Sequence, residues 1–259
     1  MTTQTIEPGA RPLRLGMLTP SSNTVLEPML ARMAAGAGDA VTLHYSRFSV
    51  TEIALSSAAL GQFDAGPMLN AAALLAHAKV DVMAWNGTSA AWMGFAQDEA
   101  LREAVERSTG IPFTTSVLAY RQAFRQLGAS RIGLVTPYTG DVQARIAANW
   151  GAAGFACSAE RHLGLSDNFS FAEVGEHKIE DLVRGVAREG CDAIAIVCTN
   201  MRGARVAAAL ERELGLPVLD SVAVTLWASL GLAGADPGAF AEWGSLFARP
   251  APRSSAKAP

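Results

Sequence analysis

Two stretches of this chain can be laid one over the other: DVMAWNGTS, Asp81–Ser89, and DAIAIVCTN, Asp192–Asn200. Each opens on an aspartate, runs through an apolar segment of strand length, and breaks on small polar residues. Gly87 falls on Cys198, Thr88 on Thr199 and Ser89 on Asn200. Two more pairs follow in the same order. LGMLTP (15–20) echoes IGLVTP (132–137), and TGIPFTTSV (109–117) echoes LGLPVLDSV (214–222). Three matched segments in one order indicate a duplicated unit of about 110 residues. The chain is therefore expected to fold as two similar halves.

Short β-like runs alternate with helical ones throughout. Strands are predicted at 13–18, 42–48, 82–85, 112–115, 131–136, 155–163, 193–197 and 217–220. Helices are predicted at 24–35, 66–78, 97–109, 116–127, 141–153, 173–189, 203–214 and 221–230. Such alternation implies α/β architecture with largely parallel sheets. Residues 13–115 with about 221–248 are expected to form the first half, and 116–220 the second. The Pro-, Ala- and Ser-rich ends, 1–12 and 249–259, are expected to be disordered.

Ligands of open parallel sheets bind beyond the carboxyl ends of the strands. Four loops are then candidates: Thr19–Thr24, Asn86–Ser89, Thr136–Gly140 and Cys198–Asn200. They carry Ser21, Ser22, Asn23, Thr88, Ser89, Tyr138 and Thr139, with no Lys or Arg. Hydroxyls and backbone N–H groups of this kind suit a small carboxylate or a developing enolate. The same residues also cap helices, but four equivalent loops, one bearing a thiol, argue for a shared site. Cys198 directly follows a strand and precedes a helix whose dipole can tune its acidity. Cys157 and Cys191 are expected to be inert and buried. Of the nearby apolar residues Trp85, Trp92, Met93 and Phe95, Trp85 reads as strand core.

Other chemistries find little support. His44, His77, His162 and His177 show no metal-ligand spacing and none is expected at a strand-end loop. No phosphate- or dinucleotide-binding glycine motif is present, so neither a cofactor nor a metal is expected. A net charge of −3 gives no reason to expect nucleic acid as a partner. No apolar run approaches the ~20 residues of a membrane span, and MTTQTIEPGARP lacks the basic-then-apolar pattern expected of a secretory signal. A cytoplasmic protein with three free thiols is expected, and a homo-oligomer is left open.

The GMLTPSSNT opening, the Tyr138 loop, Asn168 in LSDNFSF and the Cys198 loop resemble the aspartate/glutamate racemase superfamily, and most of all its maleate isomerase branch. The resemblance covers roughly residues 13–245. It implies two pseudo-symmetric, flavodoxin-like parallel-sheet halves with the site in the cleft between them. It further implies that Asn23, Tyr138 and Asn168 bind substrate carboxylates, beside Ser22. Racemases and isomerases of this superfamily carry a cysteine from each half, whereas this chain has Gly87 in the first. A glycine before Thr88 and Ser89, paired with a lone second-half cysteine, is similar to the arylmalonate decarboxylase branch. There the Thr-Ser pair and the tyrosine form an oxyanion pocket and the cysteine protonates a carbanion. Thr199 departs from that branch, which has glycine after its cysteine, and this bears on how closely the backbone approaches the substrate. The expected activity is cofactor-independent decarboxylation of a small malonate-type acid. The alternatives are maleate-type cis–trans isomerisation through Cys198, and non-catalytic carboxylate binding.

Overall fold

The computed structural model describes residues 11–250. The disorder expected at the two ends therefore falls, for 1–10 and 251–259, outside the described residues. Among those described, eight strands form two parallel sheets with the same connectivity. β1 (Leu13–Pro20), β2 (Val41–Phe48), β3 (Val82–Trp85) and β4 (Phe113–Thr115) lie in the order β2-β1-β3-β4. β5 (Arg131–Thr136), β6 (Ala156–His162), β7 (Ala193–Ile196) and β8 (Val218–Asp220) repeat it as β6-β5-β7-β8. The duplication read from the sequence is thus a duplication of topology.

Among the described residues ten α-helices flank the sheets. In chain order these are α1 (Leu26–Ala35), α2 (Ser57–Gly61), α3 (Ala65–His77), α4 (Ala90–Met93) and α5 (Phe95–Thr109). They are followed by α6 (Ser116–Leu127), α7 (Gly140–Ala152), α8 (Glu176–Ala187), α9 (Gly203–Leu214) and α10 (Ser221–Leu232). Every expected strand and long helix is found within a few residues of its expected bounds. The sequence does not announce α2, α4 or the 3-10 turns at Gly38–Ala40, Ser170–Glu173, Pro237–Trp243 and Ser245–Ala248. All are too short to show a helical period.

The central strands β3 and β7 are buried along their whole length, as expected where helices cover both faces. Edge strand β6, ACSAERH, is mostly exposed or half-buried. The Gly-x-Pro punctuation shared by the halves has one cause. Gly110 and Gly215 close α5 and α9 at φ +70° and +65°, left-handed backbone that glycine adopts freely. The serines that follow β4 and β8 also act alike. Ser116 Oγ donates to the Trp85 carbonyl (3.3 Å) and Ser221 Oγ to the Ile196 carbonyl (3.1 Å), each at the last residue of a central strand. The two halves then interlock through these helices: α10 packs on α6 and on β3 and β4, and Thr225 Oγ1 donates to Ser116 Oγ (2.8 Å).

One pair of positions has exchanged its chemistry. Counting from Gly110 and Gly215, backward Asp98 stands where Gly203 stands, and forward Thr115 where Asp220 stands. In the first half the helix supplies the carboxylate and Thr115 Oγ1 donates to it. In the second the strand end supplies it, and a Cβ at Gly203 would lie 2.5 Å from Asp220 Oδ2. Asp220 Oδ1 caps α10 through the N–H groups of Val222 (2.7 Å) and Ala223 (3.2 Å). Burial pushes both Asp98 and Asp220 up to about 7. In the unfolded chain such groups ionise near ~4. Between those values the folded state holds protons that the unfolded state has lost, so stability falls as pH rises. Denaturant midpoints should therefore drop between about pH 4 and pH 7, and Asp98→Asn should make that drop shallower than in wild type.

Candidate active site

The loops after β1, β3, β5 and β7 meet between the sheets. Thr199 Oγ1 donates to the Asn86 carbonyl (3.0 Å) and accepts from Asn23 Nδ2 (3.1 Å). Thr88 Oγ1 and Tyr138 OH lie 2.6 Å apart, joining the β3 loop to the β5 loop. The Tyr138 hydroxyl stands close enough to the Cys198 thiol that each shifts the other's ionisation. The bond from Thr199 to Asn86 holds the Cα atoms of Gly87 and Cys198 within about 12 Å of each other. Asn23, Thr88, Tyr138, Asn168, Cys198 and Thr199 are all buried.

Each residue owes its place to local structure. Cys198 and Thr199 sit where β7 leaves the sheet, and Thr88 where β3 does. Asn23 also caps, as the simpler reading of these loops has it, accepting from the Val25 (3.0 Å) and Leu26 (2.9 Å) N–H groups. Its amide nitrogen remains free for Thr199. Asn168 is brought in by an exchange between halves. Ile53 N–H donates to the Ser166 carbonyl (2.8 Å), and Asn168 N–H to the Thr51 carbonyl (2.9 Å). Asn168 Nδ2 then donates to Ser22 Oγ (2.7 Å), and Ser22 Oγ to the Val50 carbonyl (2.6 Å).

Ser89 opens α4 and lines a cavity of about 260 Å³ with Phe63, Met68, Gln97, Asp98 and Leu101. Of the apolar neighbours, Trp92 packs edge-on against Tyr138 at 5.3 Å, as Phe171 does from another side at 5.5 Å. Phe95 instead lies under the Arg121 guanidinium at 5.0 Å. His162 does end a strand, β6, because that strand runs its full length beside β5; it pairs with Glu160 (3.0 Å). Cys157 is half-buried on the same edge strand, and Cys191 is buried. The sequence reading overlooked Asn200 as more than the counterpart of Ser89. Its Oδ1 accepts from the N–H groups of Thr24 (3.0 Å) and Val25 (3.3 Å), and its Nδ2 donates to the Asn168 carbonyl (2.6 Å).

Electrostatics at the thiol are set by burial. Helix α9 starts only at Gly203, so Cys198 is not at its first turn. The N–H of Asn200 reaches Sγ at 3.3 Å and favours the thiolate, as does the Tyr138 hydroxyl. Loss of water outweighs both and pushes Cys198 up to about 12, so the sulfur keeps its proton. Tyr138 is raised by the same cause. Among the described residues no group of three or more His, Cys, Asp or Glu could hold a metal ion.

A family described as arylmalonate decarboxylase matches residues 37–247 of the chain. The chain belongs to the arylmalonate decarboxylase family. It is 32% identical over 169 residues to the arylmalonate decarboxylase of Bordetella bronchiseptica, covering 64% of this chain and 70% of that one. It is 26% identical over 228 residues to the maleate isomerase of Pseudomonas putida, covering 84% and 90%. The fold matches the maleate isomerase Iso of Pseudomonas putida S16 with maleate at a TM-score of 0.81 and 25% identity, over 91% of this chain and 97% of that one. A crystal structure of arylmalonate decarboxylase matches at 0.71 and 25%, over 91% and 99%. The expected resemblance and two-half fold are borne out. Proteins similar to this chain thus include a decarboxylase and isomerases, and the local chemistry of the cleft must separate the two readings.

Asn200 holds three segments from both halves, so its truncation should be costly. Asn200→Ala leaves buried groups unpaired at about 1–3 kcal/mol each. Its melting temperature should fall by at least about 4 °C, whereas Thr139→Ala, half-exposed outside the network, should change it little.

Proposed function

We propose that the protein is a cofactor-independent decarboxylase of a small malonate-type acid, with Cys198 as the proton donor. What carries this reading is one thiol among the strand-end loops, Cys198, buried and holding its proton, with Gly87, a position without a side chain, within about 12 Å of it. A two-base racemase takes a proton from one face and delivers one to the other, which a lone thiol does not do. Decarboxylation needs only a pocket that stabilises a carbanion and one acid to quench it.

In this mechanism the C–C bond to one carboxylate breaks and CO₂ leaves. The bonding pair stays on the retained fragment as an enediolate. Its oxygens, those of the retained carboxylate, take over the O–H donors of Thr88 and Tyr138, while Asn23, Ser22, Asn168 and Thr199 fasten the loops around them. Ser89 contributes through its place at the start of α4. Cys198 gives its proton to the carbon, and the resulting thiolate recovers one from solvent. Trp92 and Phe171, packed on Tyr138, offer apolar walls that favour a leaving group about to lose its charge. The three unpaired cysteines agree with a reducing cytoplasm. No helix of the described residues is long and apolar enough to cross a membrane.

The second reading, isomerisation of a maleate-like acid, has the higher fold similarity in its favour. It requires Cys198 to add to a double bond as thiolate, which burial opposes. Non-catalytic carboxylate binding would tolerate loss of the thiol.

NMR in D₂O with malonates, maleate and hydantoins separates these readings. CO₂ release with one deuterium gained at the α-carbon is expected; fumarate formation would replace the proposal by isomerisation. Cys198→Ala should stay folded and lose turnover, while Cys157→Ala and Cys191→Ala keep it. Tyr138→Phe and Thr88→Ala should each slow turnover by roughly 10²–10³-fold, with smaller effects on binding. Because the acid form of Cys198 persists above the ordinary thiol range, the rate should stay flat from pH 7 to beyond about pH 9. A rate that climbs with pH through about 8.5 would indicate a thiolate nucleophile instead.

A further inference from the structure

Trp85 and Gly87 lie two residues apart, so their side-chain positions share one face of the chain as it leaves β3. A Cβ at residue 87 would stand 2.0 Å from Cζ2, 2.3 Å from Cε2 and 2.6 Å from Cη2 of the Trp85 indole. The ring thus occupies the volume that a side chain at 87 would need. Phe48 backs it at 4.9 Å between ring centroids, and the whole residue is buried. Trp85 is therefore more than strand core. In the second half the same two positions hold Ile196 and Cys198, a smaller side chain followed by a thiol. Bulk and reactive group have been traded between the halves. Trp85 Nε1 has no hydrogen-bond partner, and it is bonded to Cε2, so an N–H lies at the residue-87 position. An indole N–H donates a hydrogen bond and accepts none, so it cannot serve as a base there.

We propose that Trp85 is the specificity-determining wall of the cleft opposite Cys198, filling the place of a second thiol and restricting proton transfer at the substrate carbon to one face. The inference rests on the decarboxylase reading for its chemistry, but not for its geometry. It implies that a thiol at 87 is accommodated only once the indole is removed. With both changes made, the introduced thiolate removes an α-proton from one face and Cys198 delivers a deuteron to the other. C–H becomes C–D with inversion, and nothing is oxidised or reduced.

Two measurements test this. Gly87→Ala should lower the melting temperature by about 5–10 °C, whereas in a Trp85→Ala background the same change should cost less than about 2 °C. Equal losses in the two backgrounds would overturn the proposal. The second probe is single-enantiomer 2-phenylpropionate in D₂O. The Trp85→Ala/Gly87→Cys enzyme should exchange and racemise it at least about 10²-fold faster than either single variant. If Gly87→Cys alone does not fold, the steric conflict is expressed directly and Trp85→Ala serves as the reference. Exchange no faster than the references overturns the wall. Wild-type action on 2-methyl-2-phenylmalonate is scored separately: silence there, with the other two results as expected, overturns the decarboxylase reading and leaves Trp85 where it is.

Discussion

The cleft depends on one hydroxyl that both gives and takes. Thr199 Oγ1 donates to the Asn86 carbonyl and accepts from Asn23 Nδ2, and both partners belong to the opposite half of the molecule. A hydrogen bond of this kind adds only about 1 kcal/mol net to stability, but leaving its buried partners unpaired costs more. The geometry is therefore enforced by penalty rather than by attraction. This also accounts for the departure at Thr199 from the glycine of the arylmalonate decarboxylase branch. Where glycine would leave the backbone bare, threonine uses its oxygen to fasten the Cys198 loop to the loops after β1 and β3. Asn200 extends the fastening to Asn168, so that the residue after the bridge holds the segment the bridge does not reach.

Closing the loops this tightly has an electrostatic consequence. Water is displaced from Cys198, Tyr138, Asp98 and Asp220 alike, and in every case the charged form is disfavoured. A dry cleft lined by neutral donors keeps a thiol as an acid. It also makes each O–H more effective toward charge that appears only during reaction. The same packing that stabilises the fold thus favours the protonated thiol, although relatives of the same topology include a decarboxylase and isomerases.

Much of this was legible in the sequence because duplication writes the same local signals twice. The Gly-x-Pro turns before β4 and β8, the apolar runs of β3 and β7 and the serines opening α6 and α10 each have one local cause, so reading one half checks the other. The loops were locatable for the same reason, since strand ends are fixed by the pattern. Less legible was what depends on contact across the halves. Asn200 reads as an ordinary loop residue until Thr24, Val25 and Asn168 stand around it. Ser89 is adjacent to Thr88 in sequence, yet α4 begins there and Ser89 lines a cavity with Phe63 and Asp98. Phe95 follows a glycine at φ +102°, Gly94, where the chain changes direction, and is carried beneath Arg121. No local pattern reports such turns of direction.

The differences between the halves carry more functional information than their likeness. Symmetric duplication would place equal groups on both sides of a bound acid. Here two exchanges break that symmetry at the strand ends. Asp98 with Thr115 answers Gly203 with Asp220, and Trp85 with Gly87 answers Ile196 with Cys198. In each, the total requirement of the site is kept while its parts are redistributed: one buried carboxylate per half in the first, one filled volume per half in the second. Close packing demands this, since a core at crystal-like density tolerates neither an added side chain nor an empty one without a compensating change nearby. A glycine at 87 is then the consequence of a tryptophan at 85 as much as the loss of a cysteine. The one-sidedness of the cleft is built from volume before it is expressed in proton transfer.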